Sequence, residues 1–111
     1  MKAMAATGEN KESSVNKVRI SGVITSAPTS HAGVLARRIE VFTDGVREII
    51  DIECEKGDIF PIFRALRIGQ WVSVEGSLRK RFWRRGPALA SRSYVHVNSL
   101  KPGMAHHARK P

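Results

Sequence analysis

The residues best equipped for chemistry lie in one stretch, GSLRKRFWRRGPALASRSYVHV, from Gly76 to Val97. Arg79, Lys80, Arg81, Arg84, Arg85 and Arg92 surround Phe82, Trp83 and Tyr94, and no carboxylate interrupts them. Cations at this density hold anions, and aromatic rings set among them offer flat apolar faces. The combination suits a ligand that carries both phosphates and exposed bases. The charge is local rather than general. Met1 to Leu78 holds ten Lys/Arg against ten Asp/Glu, whereas Arg79 to Pro111 holds nine Lys/Arg and no acid, which accounts for the whole net charge of +9. Such asymmetry points to a polyanionic partner.

Other chemistries find little support. The chain has no phosphate-cradling G-x-x-x-x-G-K-[ST], no G-x-S-x-G and no H-E-x-x-H. Of His31, His96, His106 and His107 only the last two are close in sequence, and there is one cysteine, so neither a metal site nor a cofactor is expected. The acids Glu48, Asp51, Glu53 and Glu55 read as salt-bridging surface positions. A binding protein, not an enzyme, is expected. No apolar run approaches the ~20 residues of a membrane-spanning helix. The opening MKAMAATGENKESS lacks the apolar centre of a secretory signal, and the single Cys54 cannot form an internal disulfide. Together these features fit a protein of the reducing cytoplasm with no membrane partner.

The elements that must position the basic stretch can be read from periodicity. With 111 residues, 41% of them apolar, the chain has room for one domain with one modest core. Composition divides it into a flexible tail over 1–14, a folded domain over 15–101 and a basic flexible tail over 102–111. The first strand, NKVRISGVITSAP, alternates through Val18 and Ile20 and changes phase at Gly22, which marks a bulge or sharp bend. Pro28 and TSHAG read as a loop.

LARRIEVFTDGVREIIDIEC is a hairpin around Asp44-Gly45. A two-residue turn fixes its register, with Thr43 facing Val46, Val41 facing Glu48, Ile39 facing Ile50 and Arg37 facing Ile52. Leu35, Ile39, Val41, Ile50, Ile52 and Cys54 then share a core face, with Arg37 and Glu48 towards its edges. Arg38 pairs with Asp51 and Phe42 with Arg47 on the other face. Ile59, Ile62/Phe63 and Leu66 recur at helical spacing, so a short helix follows, with Asp58 as its cap and Gly69 as its stop. QWVSVEGSLRKRFW and SRSYVHVNSL are the last two strands. Strand, strand, strand, helix, strand, strand is the layout of an all-β OB-fold, a five-stranded barrel with one short helix between strands 3 and 4.

Alternation places Arg79, Arg81 and Trp83 on one face of their strand, and Arg92, Tyr94 and His96 on one face of the next. Arg84, Arg85 and Gly86-Pro87 are expected to form a basic, partly mobile loop between them. Phe60 and Phe63 belong to the core. Phe82, in phase with Leu78, is expected to be buried, and Trp71 to pack under the helix. Trp83 lies between Arg81 and Arg84 on the polar phase, where base stacking explains it better than packing does.

The segments VNKVRISGVI, RIGQWVSVEGSLRKRFW and SYVHVNSL resemble the bacterial single-stranded DNA-binding proteins, including primosomal replication protein B. The resemblance covers about Val15 to Leu100, and V-E-G-x-L-R is its most specific element. It implies a homodimer or homotetramer that binds single-stranded DNA without strong sequence preference, in replication, replication restart or recombination. By position it adds Lys17 and Arg19 to the binding residues Arg79, Arg81, Trp83, Arg84 and Tyr94. The first-strand region from Lys17 to Ile24 is the expected contact between copies. The chain lacks the long Gly/Gln/Pro-rich linker and acidic tip of the general replication proteins and ends in HHARKP. In this it is closer to primosomal replication protein B or to an accessory protein of a mobile element, while the tryptophan in RKRFWRR resembles the general binding proteins. Two other roles fit the pattern less fully: a primosomal adaptor that uses the acid-bearing hairpin face to contact proteins, and an RNA-binding OB-fold protein.

Overall fold

The Asp44-Gly45 turn organises the centre of the molecule. Both residues take positive φ, 52° and 78°, as a two-residue hairpin turn of this hand requires. The flanking segments form β3 (Val34–Thr43) and β4 (Val46–Glu55), paired in the register expected from the turn alone. In this computed structural model residues 14–103 are described, so most of the two expected tails lies outside the described residues.

The remaining elements are β1 (Val18–Ile24), β2 (Thr29–His31), α1 (Phe60–Ala65), β5 (Trp71–Arg85) and β6 (Ala88–Pro102). The sheet order is β1-β5-β6-β4-β3-β2, and β1 also pairs with β3 through Val23 and Ile24. These pairings make a circuit around one core. Ile24, Ile39, Ile52, Val72, Val74 and Val95 fill it, and Phe63 and Leu66 close it from the helix side. Two expectations are corrected. There are six strands rather than five, and the helix follows the fourth strand instead of lying between the third and the fourth. The added strand, β2, is three residues long and fully exposed, so no apolar alternation marks it. It folds back on β3 through the Ala32-Gly33 turn.

Gly22 marks a close approach of two strands rather than a bulge. The β1–β5 register runs unbroken through it, while the Glu40 carbonyl occupies the place where a Cβ would stand. Only glycine lets β3 cross so closely. The irregularity in the sheet falls instead between β5 and β6, where the register shifts at Glu75/Gly76 and leaves Asn98 without a partner.

Arg37 differs most from its expected place. It lies not at an edge but inside, 2% exposed. Its guanidinium donates to the carbonyls of Ser26, Phe63, Arg64 and Leu66 at 2.7–3.3 Å. A helix ends with unpaired carbonyls and a partial negative charge, and Arg37 supplies both donors and a cation there. Burial lowers its pKa from the usual arginine value. The Asp58 cap is not formed: Ile59 occupies the N-cap position with no side-chain hydrogen bond, and Pro61 sits in the first turn. Ile59 and Phe60 pack against the core, whereas Ile62 is exposed. At the other end, the ladder continues to Pro102, and the Gly103 amide donates to the Trp71 carbonyl at 2.7 Å. Trp71 therefore lies against Gly103 rather than under the helix, and is 39% exposed.

Candidate nucleic-acid interface

β5 and β6 are each 15 residues long, and only the half of each nearer the core pairs with a third strand. β1 accompanies β5 as far as Gly76. Before it, the Asn16 side-chain amide extends the pairing by one step, donating to the Leu78 carbonyl at 2.8 Å and accepting from its N–H at 2.9 Å. β4 meets β6 only at Val95 and His96. Beyond these points, Arg79–Arg85 and Ala88–Tyr94 form a two-stranded arm that lengthens the molecule to 61 Å, against 37 and 33 Å in the other directions. A two-residue turn, Gly86-Pro87, closes it, with Gly86 at φ 62°. Arg84 and Arg85 are thus strand residues paired with Leu89 and Ala88, not a loop.

Cross-strand partners share a face. The pairs Ser77–His96, Arg79–Tyr94, Arg81–Arg92, Trp83–Ala90 and Arg85–Ala88 therefore lie on one side of the arm. This front face gathers seven of the expected residues: Arg79, Arg81, Trp83, Arg85, Arg92, Tyr94 and His96. It is about 20 Å long from Arg79 to Arg85, from the rise of a strand. Trp83 is 41% exposed, well away from the core. Arg84 is on the opposite face. Lys17 and Arg19 stand beside the root of the arm on and just before β1. Phe82, expected to be buried, is 58% exposed. Its phase matches that of Val74 and Gly76, but the core ends before it.

The cations of the front face fall into two electrostatic classes. Arg81 and Arg92, midway along the arm, are held by carboxylates of β4. Arg81 makes a bidentate pair with Glu53 at 2.7 and 2.9 Å and lies over the Tyr94 ring at 4.6 Å. Hydrogen bonding to Glu53 raises the Arg81 pKa further above its usual value. Arg92 pairs with Asp51 at 2.9 Å, and Asp51 also receives Arg38 at 3.3 Å. Arg19 meets Glu75 at 3.5 Å. Asp51, Glu53 and their arginines line a groove of about 290 Å³ on the outer sheet. Arg79, nearer the root, and Arg85, nearer the tip, make no ion pair among the described residues, nor do Arg84 on the opposite face and Lys17 beside the root. Those side chains are exposed and available to phosphates.

Sequence reasoning missed three residues that shape the site. Asn16 ties the chain to the base of the arm, and Arg37 supports the hairpin from inside. Lys80 joins Phe82 and Arg84 on the back face. The signal for Asn16 was present in the resemblance, whose first-strand pattern begins N-K-V. Among the described residues no group of three or more His, Cys, Asp or Glu is placed to hold a metal ion, and no helix is long and apolar enough to cross a membrane.

No family model matches the sequence, and a search of curated proteins finds no match. Solved structures do match the fold. A Plasmodium falciparum single-stranded DNA-binding protein in complex with single-stranded DNA superposes with a TM-score of 0.71 at 19% identity, over 85% of this chain and 99% of that one. The mitochondrial single-stranded DNA-binding protein of S. cerevisiae gives 0.67 at 18% identity, over 81% and 96%. The N-terminal domain of PriB from Thermoanaerobacter tencongensis, solved as a dimer, gives 0.62 at 18%, over 80% and 97%. The chain has the fold of single-stranded DNA-binding proteins.

Proposed function

We propose that this protein binds single-stranded DNA in replication, replication restart or recombination, as a binding module and not an enzyme. The circuit of strand pairings is read as the barrel of an OB-fold, with the β5–β6 arm as its main binding element. The observation that carries this reading is the front face of the arm. It combines exposed Trp83, half-exposed Tyr94 and the unpaired Arg79 and Arg85 on one flat ribbon. Phosphates neutralise the arginines, and bases stack on the rings with little regard to sequence, because every base has a flat face. Arg81 and Arg92 contribute as oriented hydrogen-bond donors whose charge is already offset by Glu53 and Asp51. Lys17, Arg19 and His96 extend the path across the root, and Arg84 serves from the other side.

Two or four copies are expected to assemble. The edge of β1 from Val18 to Ser21 is paired with β5 on one side only, and an open strand edge invites a second copy. A buried thiol at Cys54, with its pKa raised by burial and by Glu55, suits a reducing cytoplasm where it stays unmodified.

Trp83→Ala tests the binding reading. Stacking is worth about 1–3 kcal/mol per base, so affinity for oligo-dT should fall roughly five- to 150-fold. The thermal midpoint should stay nearly constant, because the ring lies outside the core. Loss of stability with unchanged affinity per folded molecule would reject Trp83 as a stacking platform.

A further inference from the structure

The back face of the arm carries its own set of binding groups. Lys80, Phe82 and Arg84 alternate along β5 and face Ser93, Ser91 and Leu89 of β6. Phe82 is 58% and Leu89 64% exposed. Among the described residues, the pairing of β1 with β5 and of β4 with β6 both end short of this stretch. After Glu75 the sequence has no Asp or Glu, so neither cation has an acidic side chain close by in sequence. An aromatic ring flanked by two cations that make no ion pair among the described residues, with serines opposite, repeats the chemistry of the front face.

We infer that Lys80, Phe82 and Arg84 form a second single-stranded DNA subsite, so that a strand leaving Trp83 passes round the arm and stacks again on Phe82. This rests on the single-stranded DNA reading given above. Three observations favour DNA as the occupant over a second copy of this chain. The face is cationic and has no acid, a second copy would bring more positive charge, and the back face is continuous with the front through a turn of only two residues. About three residues, roughly 10 Å of strand, separate Trp83 from the tip. The back face can therefore be reached only by an oligonucleotide longer than one that fills the front.

Length dependence is the test. Labelled oligo-dT of increasing length is titrated with the full chain and with Trp83→Ala, Phe82→Ala, Phe82→Tyr and the Lys80→Ala/Arg84→Ala double variant, each checked by thermal melting. Trp83→Ala should weaken binding at every length. Phe82→Ala should leave the shortest bound oligonucleotide unaffected and weaken long ones about five- to 150-fold, while Phe82→Tyr, which keeps the ring, restores them. The double variant should lower the salt slope by about 1.4 for long oligonucleotides only. If Phe82→Ala and the double variant match wild type at all lengths while Trp83→Ala is weakened, the second subsite is wrong and the front-face reading stands. Loss of self-association in Phe82→Ala with DNA affinity unchanged would assign the face to protein contact and overturn the inference. Failure of wild type to bind oligo-dT at any length would remove both readings together.

Discussion

The β3–β4 and β5–β6 hairpins use the same backbone device, two long antiparallel strands joined by a two-residue turn with glycine at positive φ. Their side chains divide the work. In β3–β4 every outward arginine has a carboxylate within reach: Arg38 with Asp51, and Arg47 with Glu40 at 2.6 Å. Two acids of β4 reach further, holding Arg81 and Arg92 midway along the arm of the other hairpin. In β5–β6 the last acid is Glu75, and the ribbon runs on for another ten residues of β5 without one. Exposed ion pairs contribute little to stability, so the acids of β4 matter most for where they aim the arginines. The difference teaches that a net charge is not a binding site. Carboxylates of β4 hold Arg81 and Arg92, while Arg79 below them and Arg85 beyond them make no ion pair among the described residues.

Removing the support of the first hairpin should have the largest effect. Arg37→Ala deletes a buried cation together with its hydrogen bonds to the end of α1. It should destabilise the domain in urea unfolding, by about 1–3 kcal/mol for each buried carbonyl left without a donor. Affinity for oligo-dT per folded molecule should not change. A fall in that affinity would mean that the root of the first hairpin takes part in binding and would blur the division.

A smaller effect sharpens the boundary between paired and free cations. Glu53→Gln removes the carboxylate that neutralises Arg81 and frees one cation for phosphate. The salt slope for oligo-dT should steepen by about 0.7, and affinity at low salt should rise. Weaker binding would show instead that Arg81 works only when Glu53 holds it in place. The smallest effect belongs to Phe42→Ala, at the exposed end of the first hairpin. Stability should stay within about 0.5 kcal/mol of wild type, with unchanged affinity. A several-fold loss of binding would extend the DNA path onto β3–β4.

The register of β3–β4 was legible to the residue, because Asp44-Gly45 leaves a two-residue hairpin only one alignment. The face shared by Arg79, Arg81 and Trp83 was legible as well, because period-2 alternation is a property of the backbone. Other features depended on what alternation does not encode. Phe82 keeps the phase of the core face, but phase says which way a side chain points and not how far the core extends along that direction. Arg37 keeps that phase too, and there the core does extend. Its charge is accepted because a helix C-terminus, placed by tertiary structure, stands opposite it. Short β2 has no apolar signal, since it is held by backbone pairing to β3 alone. The pairing of Arg81 and Arg92 with β4 acids follows from the parallel contact of β4 with β6 at Val95 and His96, which joins segments distant in the chain.

The most direct test of this division is the salt dependence of oligo-dT affinity in two double variants. Arg79→Ala/Arg85→Ala removes two front-face cations with no acidic partner, whereas Arg81→Ala/Arg92→Ala removes two that β4 already neutralises. With a slope of about −0.7 per phosphate contacted on a single strand, the first variant should lose about 1.4 from the wild-type slope and the second should lose little. Equal losses in the two variants, or an unchanged slope in the first, would contradict the account.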